Sequence, residues 1–321
     1  MRIAVIGAGA IGGLYGGVLA QAGHEVSFLA RGEHLRVIQS RGLNVESPVF
    51  GSFVVRARAS DRAADLGEAE LVLFTVKSYD VDEAAKAARQ VLSAAGSLIT
   101  FQNGLEAPDQ VAAVVGEPRV LIGTTGLETT IREPGVVVHT GNWHFVTVSA
   151  LSGLPTPQVE EVSEVLRGAG INASVVADGR RALWEKAWML IPMATITSVC
   201  RASIGPIREL PETRRLLEAL LDEVGAVARA CGYDLAEARD RAWGLIENAP
   251  YTMKASMARD FERGNRTELE ALTGALVRMA DARHVDVPAA RTAYAILKLR
   301  QHVEAEQDGT QKPLGIGAVG R

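Results

Sequence analysis

Cysteine is almost missing from this chain: its 321 residues contain only Cys200 and Cys231, far apart and outside any CxxC or histidine-rich spacing. That scarcity excludes a disulfide framework and gives no support to a zinc site, so no metal is expected and both thiols read as core packing. His139 and His144 lie in an alternating, strand-like segment and supply no ligand set. Positive charge is not in excess either. With 34 Lys and Arg against 38 Asp and Glu, the net charge is −4, which leaves no basic footprint for nucleic acid or an anionic membrane. No run of 18 apolar residues occurs, so no transmembrane helix is expected. The chain opens on Met1-Arg2 and an apolar run, without the pattern of a signal peptide; the cytoplasm is the default address and small molecules are the expected partners.

What is abundant is glycine, 32 residues, and a length that favours two domains. Strand-like runs alternate with helical stretches through the first half: "RIAVIG" (2–7), a helix over 10–22, "EVSFLA" (25–30) and a helix containing "EHLRVIQS". Then come "LVLFTV" (71–76), a helix over 80–94, "GSLITF" (96–101), a helix from about 106 and "RVLIGTTG" (119–126). Short, near-continuous apolar strands separated by helices specify a mostly parallel sheet covered on both faces. Residues 128–150 read as antiparallel hairpins, and a helix over 157–168 with a run at 172–177 closes the unit. Beyond Gly179 the spacing is helical, over 181–203, 211–231, 235–247, 266–284 and 288–303. The fold class expected is therefore α/β, a Rossmann-type dinucleotide-binding domain over 1–178, followed by an all-helical domain over 179–305. Residues 306–321, Gly-rich and poor in bulky side chains, are expected to form a mobile tail.

"VIGAGAIGG" places Gly7, Gly9 and Gly12 directly after the first strand and at the start of a helix. In that context the first glycine permits the tight turn and the second lets the backbone approach a pyrophosphate. The third packs helix on strand, and the helix N-terminus attracts the negative charge. Gly7, Gly9, Ala10, Ile11 and Gly12 are thus candidate cofactor contacts. At the end of the second strand, where an NAD-binding fold has Asp or Glu, this chain has Arg31; a cation there suits the 2′-phosphate of NADP. Glu33, two residues on, keeps NAD as an alternative, and a surface arginine without a role is a third reading.

Lys77 ends the 71–76 strand and Asn103 the next one, both on the edge where open α/β sheets bind ligands. The Asn103-Gly104 pair is equally a turn signal. In the helical half, "ALWEKAWMLIPMATI" sets Lys186 in an apolar helix, where burial would lower its pKa toward that of a useful proton donor, unless it reaches out to water. Trp184 and Trp188 read as core. "KASMARDFERGNRTELEALTG" offers Ser256, Asp260 and Glu268. Glu268 follows Asn265 by three residues and could close a capping box for a helix beginning near Arg266; a pocket carboxylate beside Lys186 is the other reading.

Taken in order, "IAVIGAGAIGG", "GHEVSFLAR", "VKSYD", "QNGL", "WEKAW" and "SMARDFERGNRTELE" make the chain resemble the ketopantoate reductases (2-dehydropantoate 2-reductases) over nearly its full length. The resemblance implies NADPH-dependent reduction of a 2-oxo acid on the route to pantothenate. It implies Lys186 as general acid, Glu268 as a catalytic, substrate-binding and cofactor-side carboxylate, and Ser256 as a substrate contact. Asn103 would touch cofactor and substrate, Lys77 the cofactor, and Arg31 the 2′-phosphate. The family commonly carries asparagines four and eight residues after the lysine, on the same helix face; here these are Leu190 and Ala194. Two polar substrate contacts have become apolar, so a less polar 2-oxo acid is an alternative substrate. An NADP-binding protein without turnover is a second alternative. Pro192 is expected to interrupt the helix near Trp188, and the apolar helical half is compatible with a homodimer.

Overall fold

A computed structural model describes residues 1–307. By internal contacts the chain divides into two units, Met1–Leu183 and Trp184 onward. The division falls inside one long helix, over Gly179–Cys200.

The first unit carries ten strands: β1 (Arg2–Ile6), β2 (Glu25–Leu29), β3 (Leu43–Ser47), β4 (Gly51–Val55), β5 (Arg58–Ser60), β6 (Ala69–Phe74), β7 (Leu92–Thr100), β8 (Val120–Glu133), β9 (Val136–Ala150) and β10 (Ala173–Val175). Its helices are α1 (Ala10–Gln21), α2 (Gly32–Arg41), α3 (Val81–Val91), α4 (Ala107–Val115) and α5 (Pro157–Gly168). Six parallel strands lie in the order β5-β2-β1-β6-β7-β8, so the third, second and first stand on one side of the reversal and the fourth, fifth and sixth on the other. This is the doubly wound order, and its switch point lies between β1 and β6. The apolar runs are buried as a two-faced sheet requires: Ala4, Val5, Ile6, Leu71, Leu73 and Phe74 are all sealed from solvent. Each of the larger side chains among them contributes roughly 1.5–3 kcal/mol on burial. The expected mixed α/β domain followed by helices is what the structure contains.

Beyond the parallel set, β8 and β9 form a long antiparallel hairpin, and β9 serves two further partners. Its first half pairs with β3 (Val45 opposite Val137) and its second with β10 (Ser174 opposite Thr147). The β3–β4 hairpin was not read from the sequence. Its outer strand is largely exposed, so the apolar alternation there is weak. Strand β7 also begins earlier than expected, at Leu92, because Leu92 pairs with Ala69 across a bulge.

The second unit continues α6 (Gly179–Cys200) with α7 (Ile204–Glu209), α8 (Pro211–Ala230), α9 (Ala236–Glu247), α10 (Ser256–Glu262), α11 (Ala275–Ala282) and α12 (Pro288–Gln307). A π turn over Glu270–Gly274 precedes α11. Two expectations need correction. Helix α6 runs through Pro192 without interruption. The helix expected from 266 begins only at Glu270: the Asn265 N–H is taken by the Asp260 carbonyl, and Thr267, Glu268 and Leu269 turn inward as buried residues. Helix α12 extends through Gln307, four residues beyond the expected end of the helix at 303 and two into the expected tail, and the remaining tail, from 308, lies outside the described residues. Its N-terminus is capped from another helix, as Glu223 of α8 accepts the N–H groups of Ala289 and Ala290 at 2.7 Å each. Among the described residues no helix is long and apolar enough to cross a membrane.

Candidate functional site

The loop after β1 is shaped by what its glycines lack. Gly7 has φ +103°, and a Cβ there would lie 2.7 Å from the Val76 nitrogen, so neither the conformation nor the space admits a side chain. A Cβ on Gly12 would collide with the Gly7 carbonyl oxygen and the Thr75 hydroxyl. Thr75, just past β6, donates its hydroxyl to that same Gly7 carbonyl at 2.7 Å and ties the loop across the switch point. Gly9 differs: a Cβ there would meet nothing nearer than the Gly7 carbonyl at 4.0 Å. Open space therefore lies beside the first turn of α1, whose N–H groups at Ala10 and Ile11 have no side-chain cap. That combination fits a phosphate held on backbone amides.

Arg31 is exposed and stands at the N-cap of α2 in extended conformation, directly after β2. Glu33 sits in the first turn of α2 with its carboxylate 2.6 Å from the Arg36 guanidinium, an exposed i,i+3 pair. His34 accepts the Gly135 N–H at 2.9 Å on Nδ1, and burial lowers its pKa, which keeps that nitrogen free to accept.

Lys77 follows β6, half-buried, at the N-cap of a short turn over Ser78–Asp80. Asn103 is half-buried beyond β7, and Gly104 takes φ +101°, so this segment is a turn. Gln102 is the residue that organises it. Buried at 6% exposure, it donates its amide to the Phe74 carbonyl at 2.8 Å and the Val76 carbonyl at 3.1 Å, joining the end of β7 to the end of β6.

In the second unit, Lys186 lies on α6 between the buried indoles of Trp184 and Trp188 in sequence, with some of its own surface still exposed. Burial of the ammonium brings its pKa down to about 8, against the opposing pull of the Glu268 carboxylate. Desolvation wins, and the group titrates in the range where it can give up a proton. Glu268 is buried at 4% exposure, immediately before the π turn, and its own carbonyl accepts the N–H groups of Ala271 and Leu272 at 3.1 Å. Since Asn265 uses its N–H elsewhere, Glu268 is not the third residue of a capping box. Ser256 opens α10 and is half-buried, as is Asp260 four residues on. One and two helical turns beyond Lys186 come Leu190, half-buried, and Ala194, at 1% exposure.

The structure thus brings Lys186 and Glu268 into electrostatic contact and gathers Gly7, Gly12 and Thr75 around one loop. Sequence reasoning passed over Thr75 and the π turn, and weighed Gln102 only as half of an amide pair with Asn103, between turn and site. A hydroxyl directly after an apolar strand was the available signal for Thr75. A shifted helix register leaves no comparable mark in a sequence.

Residues 3–153 match the family described as Ketopantoate reductase PanE/ApbA, and residues 178–301 the C-terminal part of the same family. A 2-dehydropantoate 2-reductase of Halobacterium salinarum is 32% identical over 302 residues, 94% of this chain and 99% of that one. The crystal structure of a PanE/ApbA family ketopantoate reductase from Ralstonia eutropha JMP134 superposes with a TM-score of 0.88 at 30% identity, covering 95% of this chain and 99% of that one. D-mandelate dehydrogenase, solved with NADH and anilino(oxo)acetate, shares the fold at a TM-score of 0.86 and 18% identity, covering 95% of this chain and 99% of that one.

Proposed function

The chain belongs to the ketopantoate reductase family, and from that premise we propose that it reduces a small 2-oxo acid to the 2-hydroxy acid with NADPH, 2-dehydropantoate being the first substrate to test. The observation that carries this reading is the tuned lysine: an ammonium with its pKa near 8, interacting with a buried carboxylate on a neighbouring segment. NADPH supplies the hydride. As the electron pair of the substrate C=O moves onto oxygen, Lys186 gives that oxygen its proton, and its charge stabilises the oxygen most when negative charge is greatest. Glu268 holds Lys186 in its charged form before transfer and orients a substrate hydroxyl. Ser256 and Asn103 position the acid.

On the cofactor side, Gly7, Gly9, Ala10, Ile11 and Gly12 would take the pyrophosphate on backbone amides, and Lys77 and Asn103 would contact the cofactor. Arg31 takes the 2′-phosphate. The preference for NADP over NAD is supported by Arg31, exposed at the N-cap of α2 directly after β2, where a cation suits a 2′-phosphate. D-mandelate dehydrogenase, which shares the fold, is solved with NADH, and parallel titrations with NADPH and NADH test the choice for this chain.

A second reading keeps the chemistry and changes the substrate. Leu190 and Ala194, on the face of α6 that carries Lys186, offer no hydrogen bond to a substrate hydroxyl, which favours a less polar 2-oxo acid. Following NADPH oxidation across a panel of 2-oxo acids that includes 2-dehydropantoate tests both readings. A clear kcat/KM preference for 2-dehydropantoate removes the second. Cofactor binding with no turnover of any oxo acid removes the proposed chemistry and leaves a binding protein; an unchanged kcat in Lys186→Ala removes Lys186 as the proton donor.

A further inference from the structure

The segment that delivers Glu268 is held in an uncommon backbone register. In an α-helix the Gly274 N–H would bond the Glu270 carbonyl four residues back; here it bonds the Leu269 carbonyl, five back, at 2.9 Å. The Glu270 carbonyl also accepts from the Arg278 guanidinium at 2.9 Å. The Glu270 side chain is pinned as well, accepting from the Tyr294 hydroxyl at 3.0 Å and from Lys298 Nζ at 2.5 Å. The turn is also fastened to α6. Thr273 and Thr195, both fully buried, place their hydroxyl oxygens 2.7 Å apart, and Thr195 Oγ1 is also 2.7 Å from the Ile191 carbonyl. A carbonyl can only accept, so the Thr195 proton goes to Ile191 and the Thr273 hydroxyl is the donor to Thr195.

We propose that this π turn is the device that fixes Glu268 relative to Lys186, with Thr273, Thr195 and Arg278 as positioning residues. The inference rests on the reading of Lys186 and Glu268 as the proton-handling pair. A π register costs backbone hydrogen-bond geometry, and a guanidinium plus a buried hydroxyl pair are spent on keeping it. Relaxation to an ordinary α register would rotate the residues before the turn by about 100° about the helix axis relative to α11. Glu268 would then leave its place beside α6, whereas the hydrophobic packing of α11 would persist.

The test measures the Lys186 titration directly, by competitive acetic anhydride labelling of the full chain as a function of pH, alongside kcat for whichever 2-oxo acid the native protein reduces. In Thr273→Val and Arg278→Met, the labelling midpoint of Lys186 should fall by about half to one pH unit, because the Glu268 charge that raises it has moved away. kcat should drop about tenfold while the Kd for NADPH stays put, and Thr273→Ser should restore both values. Should those variants fail to fold, deletion of Ala271 removes the extra residue of the π turn; it should give a folded chain with the same lowered midpoint. A midpoint unmoved in the folded variants, with Glu268→Gln lowering it, overturns the inference. A midpoint that moves as expected while Lys186→Ala keeps full turnover supports the positioning role and overturns the functional reading instead.

Discussion

The loop after β1 and the Lys186–Glu268 pair are built on opposite principles. The loop is defined by missing side chains: Gly7 and Gly12 leave no room for a Cβ, and Gly9 leaves room that something else can use. The pair is defined by side chains whose charges are kept where water is scarce, with burial and the opposite charge pulling the lysine in different directions. A site made of backbone fails by collision, and a site made of charges fails by a change of proton affinity. Substitutions should therefore separate the two by which measurement they move.

The largest effect is expected at the charged pair. Lys186→Ala should lower kcat for oxo-acid reduction by about 10²–10⁴-fold while NADPH titration gives an unchanged Kd; equal losses in both would break the division. The pH profile sharpens it. Reduction needs the ammonium, so kcat should fall as pH rises through about 8, and oxidation of the hydroxy acid, which needs the free amine, should rise through the same pH.

Next come the glycines. Gly12→Ala places a methyl on the Gly7 carbonyl and should cost about 1–3 kcal/mol, seen as a lower Tm even without ligand. Gly9→Ala meets no neighbour, so its Tm should be native while NADPH binding weakens about tenfold or more. Equal melting of the two variants would remove the distinction between a packing glycine and a ligand-facing one. Arg31→Ala should weaken NADPH about tenfold and leave NADH unchanged, as read by fluorescence titration. The smallest effect is on specificity: Leu190→Asn should raise kcat/KM for a hydroxylated oxo acid about fivefold relative to an unsubstituted one.

The glycine loop was legible in the sequence because it depends on local properties, a strand, three spaced glycines and a helix, all within 2–22. Parallel strands β1, β2, β6, β7 and β8 were legible for the same reason, since burial on both faces writes a continuous apolar run; β5, three residues with only Ser60 buried, was not. Strand β4 was not, because exposed residues interrupt its alternation, nor was β3, which alternates in burial but has only two apolar residues, Leu43 and Val45, among its five. Lys186 stood out as a charge in an apolar helix, but its titration depends on Glu268, 82 positions away in sequence. The capping-box alternative for Glu268 followed a sound local rule and gave way to a tertiary one: the Asn265 N–H had already been claimed by Asp260. Register shifts of one residue, as in the π turn, alter no composition and no period long enough to detect.

Gln102 adds a consequence about time rather than place. Its single amide grips two carbonyls of the neighbouring strand end, so the turn bearing Asn103 and the turn bearing Lys77 share one mechanical anchor. Fluctuations that loosen either should loosen both, and amide exchange at 76–78 and 103–105 should then proceed as one cooperative opening. Gln102→Leu would uncouple the two rates before it changed any averaged coordinate, turning a shared hinge into two independent ones.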